Sequence, residues 1–246
     1  MNSSTYWYFI GISISFLMYG CTTDSDVALK TFKSTFNNQS AVIENASLNK
    51  ELSYLRVNIV GLDALLVKGY ADQDKNGAID VWYSSDGSMM RLQKGRYLGS
   101  VGFDRNWQNV EFKDAPNLIN IVEYFKRPAP SPQLKSVADF YPKDLYFFSR
   151  NKTQMPEYQT ALQERMSISV SDQAPKTIPK SLKPYLQNKE LIWVSEKPLS
   201  TQDTTSSRDN FAWYGFEKKN SSFIQVFGQQ CFSPDFCISW MPWPIQ

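Results

Sequence analysis

The sequence predicts a mainly β protein made of antiparallel strands. Short runs that alternate apolar and polar residues recur from Tyr54 to Gly228, and turn-forming Gly, Asn, Asp and Ser separate them at close intervals. Of 246 residues, 42% are apolar and 15% aromatic, so one domain can bury a sizeable core. There is no internal repeat.

The elements follow in order. Val27 to Phe36 places Ala28, Leu29, Phe32 and Phe36 near helical spacing and predicts a short helix, and Leu48 to Leu52 adds a turn. Tyr54 to Val60 alternates as a strand, turns at Gly61-Leu62-Asp63, and returns as Ala64 to Tyr70. Asp72 to Gly77 is a polar turn, Ile79 to Tyr83 a strand, and Ser85-Asp86-Gly87 the next turn. Met89 to Leu92 and Arg96 to Phe103 form a hairpin through Lys94-Gly95. Asn109 to Phe112 and Ile119 to Lys126 read as further strands. Pro128, Pro130 and Pro132 make a linker, because proline cannot donate to a sheet ladder. Phe140 to Ser149, Arg165 to Val170 and Leu191 to Val194 are strands, with Thr177 to Leu186 a proline-punctuated loop or short helix between the last two. Thr201 to Asp209 is a polar loop, and Phe211 to Glu217 with Ser222 to Gly228 close a hairpin around Lys219-Asn220.

The N-terminus carries the sharpest signal. An uncharged apolar run from Tyr6 to Tyr19 ends in Gly20-Cys21, and the chain then turns polar at Thr22-Thr23-Asp24-Ser25-Asp26. The run is too short for a bilayer span and fits a signal-peptide apolar region. A small residue before cysteine marks the cut of a bacterial lipoprotein signal. Residues 1–20 are therefore expected to be a lipoprotein signal peptide, Cys21 the acylated residue, and 21–246 one β-rich domain held to a lipid bilayer through Cys21. By analogy with enteric bacteria, Thr22 in place of Asp sends such a lipoprotein to the outer membrane.

Charge and composition exclude several functions. A formal net charge of +2 gives no electrostatic reason to expect nucleic acid. The sequence has no histidine, which removes Ser-His-Asp and Cys-His nucleophile systems and histidine-dependent zinc hydrolysis. Glu190, Glu196 and Asp203 are too irregular for a two-carboxylate glycosidase and read as surface charge. The protein is expected not to be an enzyme. Cys231 and Cys237 remain as a pair around the turn residues Ser233-Pro234-Asp235, a disulfide in an oxidising compartment or two buried thiols among Phe232 and Phe236. Without histidine they cannot complete a typical zinc set.

Trp82-Tyr83-Ser84-Ser85-Asp86-Gly87, Leu92, Gly95-Arg96 and Gly99 to Gly102-Phe103 follow one another in order. Asn210-Phe211-Ala212-Trp213 and Phe227-Gly228-Gln229 come near the end. With the lipidation signal, this series resembles the YjbF/GfcB lipoproteins of bacterial exopolysaccharide and group-four capsule export. The long loop from Ser200 to Asp209 and the Cys231/Cys237 pair depart from the family pattern. The resemblance implies an extended antiparallel sheet, curved like a barrel or corner around a few short helices. It implies a place on the periplasmic side of the outer membrane and work in secretion or assembly of a surface polysaccharide. It also implies partners among outer-membrane β-barrel and periplasmic export proteins, and no catalytic residue.

Three constellations are candidates for binding. Asp72-x-Asp74-x-Asn76-Gly77-x-x-Asp80 has the alternate oxygen donors of a Ca2+ loop, but Tyr83 stands where an EF-hand needs Glu, and hairpin-turn chemistry explains the same residues. Aromatic rings stack on pyranose faces. Trp82, Trp193 and Trp213 fall on strands and read as core, whereas Trp240 and Trp243 near the chain end are candidates for a glycan or a protein partner. Arg96 reads as structural, paired with Asp86 or Asp104.

Overall fold

The computed structural model describes residues 39–103, 106–126, 147–155, 159–199, 210–233 and 235–244. The apolar run, Cys21, the helix expected at Val27 to Phe36, the proline linker and the Thr201 to Asp209 loop lie outside the described residues.

A short helix, α1 (Gln39–Glu44), leads into β1 (Tyr54–Ile59), β2 (Leu62–Asp74), β3 (Gly77–Tyr83), β4 (Met89–Gln93) and β5 (Arg96–Val101). β6 (Asn106–Lys113) and the helix α2 (Leu118–Phe125) follow. Then come β7 (Phe147–Met155), β8 (Gln159–Ser171), a 3-10 turn at Lys183–Tyr185, β9 (Leu191–Pro198), β10 (Ala212–Lys219), β11 (Ser222–Ser233) and β12 (Phe236–Trp243). The strands form one twelve-stranded sheet in the order β5-β4-β3-β2-β1-β12-β11-β10-β9-β8-β7-β6. Every pairing among the described residues is antiparallel, several of them through the tight hairpins that only antiparallel neighbours allow. β5 and β6, the ends of that order, are consecutive in the chain and lie against each other. The sheet therefore curls until its two end strands come close to each other, so that neither edge lies open as in a flat sheet.

Alternation along each strand sends one set of side chains to the concave face. There Leu55, Val57, Leu66, Val81, Met90, Val194, Phe216 and Ile238 belong to one buried core shared by most of the strands. α2 adds Leu118, Ile121 and Val122 to it. This segment was expected as a strand. Its apolar residues instead repeat at helical spacing, and the Asn117 side chain accepts from the Ile119 N–H to cap the first turn.

The second correction concerns the chain end. β12 is a central strand between β1 and β11, not a mobile tail. Cys231 and Cys237 are opposite each other across β11 and β12 and are joined by a disulfide. Trp240 is 2% exposed, and its indole occupies the space left by Gly228, its cross-strand partner. Trp240 is therefore a core residue, not an exposed binding ring.

A Cβ on Gly228 would overlap the Trp240 indole. Gly228→Ala is expected to destabilise the fold by about 1–3 kcal/mol through overpacking. The urea midpoint is the measurement, and an unchanged midpoint would contradict this packing.

Candidate functional site

The convex face of the central strands is not left to water. In β1, Leu55, Val57 and Ile59 point to the core, so Tyr54, Arg56 and Asn58 point the other way. The segment Thr177 to Leu186 lies over them. Its prolines limit it to a 3-10 turn, while Ile178, Leu182 and Leu186 pack on Leu191, Trp193, Phe227 and Met241 of the sheet. On the other side α1 brings Ile43 against Tyr54 and Leu65, with Leu48 and Leu52 alongside.

Arg56 ties this outer layer together. Its side chain is fully buried, and its Nη2 donates to Asp63 Oδ2 at 2.6 Å. Nη1 donates to the Tyr185 hydroxyl at 3.1 Å, which donates to Glu44 Oε1 at 2.6 Å. One guanidinium thus joins the sheet, the strap of residues 177–186 and α1. Its carbon lies 5.3 Å from the Tyr185 ring centroid and 4.9 Å from that of Trp243. Burial opposes its charge, but Asp63 and Tyr185 outweigh burial and raise its pKa above the ordinary value. Asp63 also accepts from Asn58 at 2.6 Å and from Ser181 at 2.8 Å. Further along, Gln229 accepts from the Thr177 hydroxyl and donates to the Thr177 carbonyl and to Ser239.

Two hollows flank the strap. One, of about 500 Å³, is walled by Asn58, Thr177, Lys180, Ser181 and Gln229. The larger, about 780 Å³, runs between α1 and the strap and is walled by Glu44, Tyr54, Trp82, Tyr185, Lys189 and Trp243 among others. Trp243 is half-buried there, edge to face with Tyr185 at 5.2 Å between centroids. Lys189 and Glu217 form an ion pair on the same wall. Of the two tryptophans singled out in the sequence, Trp243 alone reaches a cleft.

The concave side holds a second polar set. Arg96 donates through Nε and Nη2 to Glu196 Oε1 at 2.9 and 2.7 Å, and the Tyr214 hydroxyl donates to Glu196 Oε2 at 3.2 Å. Arg150 donates to Glu164 at 2.6 and 2.9 Å and reaches Gln230 at 3.4 Å. Arg96 is structural as expected; among the described residues it is Glu196, and not Asp86, that it meets, while Asp104 lies outside the described residues. Glu196, expected on the surface, is 1% exposed. Every second residue of β9 faces the core, and the place that falls to Glu196 after Ile192 and Val194 can hold a charge only because Arg96 meets it.

The candidate cation donors are spread over a hairpin. Asp72 and Asp74 lie on β2, Asp80 on β3, and Asn76 in the tight turn between them. Asp74 Oδ1 accepts from the Asn76 N–H at 2.7 Å and from Gln93 Nε2 at 2.6 Å, while Asp80 is paired with Lys68 at 2.7 Å. Among the described residues no group of three or more acidic or thiol side chains is placed to hold a metal ion.

The motif residues of the family resemblance fall into structural places. The Asp86 carboxylate closes its turn by accepting from the Ser84 hydroxyl and, at 2.9 Å, from the Ser88 N–H. Burial opposes the Asp86 charge, but these bonds prevail and hold its pKa below the ordinary value. Gln229 anchors the strap. Sequence reasoning missed Arg56, Asp63 and Tyr185. The one available signal was an Arg on the polar side of an otherwise regular strand, with an Asp just beyond the turn.

No family model matches the chain, and no curated protein matches it. Among solved structures, the hypothetical lipoprotein YmcC from Escherichia coli (K12) is similar with a TM-score of 0.47 at 14% identity, over 84% of this chain and 93% of that one.

Two outcomes follow from the buried charges. Asp63→Ala takes from Arg56 its one buried carboxylate, leaving the Tyr185 hydroxyl and the half-exposed Glu44 at 3.5 Å, and is expected to cost about 3 kcal/mol. Arg56→Ala with Asp63→Ala should cost less than the sum of the two single changes. Urea unfolding of the four proteins measures this, and additive losses would contradict the coupling. Burial first, and then the Glu196 carboxylate, pushes the Tyr214 phenol well above its ordinary range. The folded state keeps that proton where the unfolded chain loses it, so stability should fall as pH rises past about 10. Tyr83, raised to about 12 by burial and the Tyr70 hydrogen bond, adds to the same slope. Tyr214→Phe should flatten part of it, and an identical slope in the variant would contradict this origin.

Proposed function

We propose that the chain is an outer-membrane-anchored lipoprotein facing the periplasm. It assists secretion or assembly of an exopolysaccharide or capsule by binding partner proteins or glycan. The observation that carries this reading is the apolar run ending in Gly20-Cys21 and followed at once by polar sequence. Acylation of Cys21 gives more than one lipid chain once the new N-terminus is also modified, and such an anchor is stable where a single chain is not.

The order of the Trp82 to Phe103 and Asn210 to Gln229 motifs supports the export family. The disulfide Cys231–Cys237 suits an oxidising compartment. Among the described residues no helix is long and apolar enough to cross a membrane, so the lipid is the contact this reading relies on. The first described element is α1, which lines the larger cleft with Ile43 and Glu44. Residues 22–38, fully extended, span at most about 60 Å, which keeps that cleft within reach of the bilayer.

The mechanism is binding combined with tethering, without a catalytic residue. Lipid holds the domain at the membrane, and the outer layer of the sheet offers the surface that meets an outer-membrane β-barrel, a periplasmic export protein or the polysaccharide. The rival reading, a calcium-stabilised carbohydrate-binding module, has less support because Asp74 and Asp80 are engaged by Gln93 and Lys68.

Radiolabelled palmitate should be incorporated by the wild-type chain and not by Cys21→Ser, and the labelled protein should sediment with outer membranes. An unlabelled wild-type chain, or a Cys21→Ser chain that still sediments with outer membranes, would contradict the anchor.

A further inference from the structure

We propose that the cleft between α1 and the strap binds a neutral oligosaccharide, a short run of pyranose rings. This rests on the glycan arm of the function proposed above and gives it a place in the fold. Three properties of the cleft point to that chemistry.

The first is shape and surface. A volume of about 780 Å³ falls within the range of small-molecule sites. Trp243 and Tyr185 supply aromatic surface on its wall, and Arg56 packs against both rings and fixes them. The electron-rich face of an aromatic ring attracts the C–H groups on a pyranose face. A platform held rigid before binding loses less entropy when the ligand arrives.

The second is charge. Glu44, Glu51 and Glu217 are matched by Lys50, Lys189 and Lys219 around the cleft, so its lining is neutral overall. A polyanion gains nothing there on net charge, and neither does a basic peptide. The individual carboxylates and ammoniums are acceptors and donors of the kind that sugar hydroxyls use, since a hydroxyl does both.

The third is an unmet hydrogen bond. Among the described residues, the buried side-chain donors without a partner are Arg56 Nε and Trp82 Nε1. Trp82 lines this cleft, and Arg56 lies behind its two aromatic rings. A hydroxyl oxygen is the acceptor that the Trp82 indole lacks. Arg56 Nε is sealed off behind the rings, so the Trp82 indole is the donor on the cleft wall, and an apolar peptide would cover the same rings but bring it no hydroxyl.

The test titrates the purified full-length chain, in detergent, with maltohexaose, cellohexaose and laminarihexaose. Tryptophan fluorescence and calorimetry are the readouts. At least one of the three should bind saturably, with a Kd of about 1 mM or tighter. Trp243→Ala should weaken that binding at least about tenfold, a change of ~1.4 kcal/mol. Because Trp243 also packs against Arg56, a second variant guards against simple misfolding. Ile224 is 37% exposed on the cleft wall, so Ile224→Trp fills the cleft and should abolish binding with an unchanged urea midpoint. Trp213→Phe, outside the cleft, should bind as the wild type does. No saturable response to any of the three sugars would overturn the proposal. A response that survives both Trp243→Ala and Ile224→Trp would overturn it too. Binding by a chain that takes up no palmitate would keep the cleft and discard the anchor. Palmitate uptake without sugar binding would do the reverse.

Discussion

A guanidinium taken out of water must meet an acceptor or cost several kcal/mol, and Arg56 is the place where this protein meets that demand. Asp63 supplies the charge, and Tyr185 supplies a hydroxyl and a ring. These partners come from the next strand of the sheet and from a segment more than a hundred residues away in sequence. Satisfying one side chain therefore fixes where the strap lies, and the strap with α1 defines the larger cleft. The outer layer thus combines two apolar clusters, under the strap and under α1, with a buried charge that joins them.

The curl of the sheet sets the same problem on the concave side. Strands far apart in the order face each other there, and a charged residue on either can persist only with a partner opposite. Arg96 on β5 and Glu196 on β9 meet across the interior in this way. Tyr214 takes the second carboxylate oxygen, and Arg150 meets Glu164 and Gln230. Such pairs contribute little net stability compared with apolar packing, but a shifted register would strand them. In this curl they help specify which strands face one another.

Local signals were readable in the chain and long-range ones were not. The hairpins were legible because alternation is a property of consecutive residues, and Lys94-Gly95 has the left-handed backbone that a tight turn demands, at φ 48° and 79°. Ile119 to Lys126 was misread because a short apolar run fits strand and helix alike, and the deciding feature was the Asn117 cap. β12 was missed because Pro242 and Pro244 bracket Trp243 and look like a tail; one of them, Pro242, is paired with Leu55 at the strand's end. The site was less legible than the fold. Glu196 and Arg56 look like ordinary polar positions until their partners arrive from distant sequence. The Asp72 to Asp80 spacing looked like a cation loop because hairpin turns and calcium loops draw on the same residues. Trp243 reached the cleft and Trp240 did not, a difference set by strand alternation once β12 is recognised.

The proposed function places a rigid, two-layered β domain on a lipid, with its binding surface next to the point where the chain enters the fold. That arrangement depends on the strap being held by the buried charge. Hydrogen exchange read by mass spectrometry on Asp63→Asn tests this most directly. Amides of Leu182 to Gln187 and of α1 should gain far more in exchange rate than those of β8 to β10, which change only by the loss of global stability. Unchanged exchange in the strap, or an equal loss of protection throughout the sheet, would contradict the account.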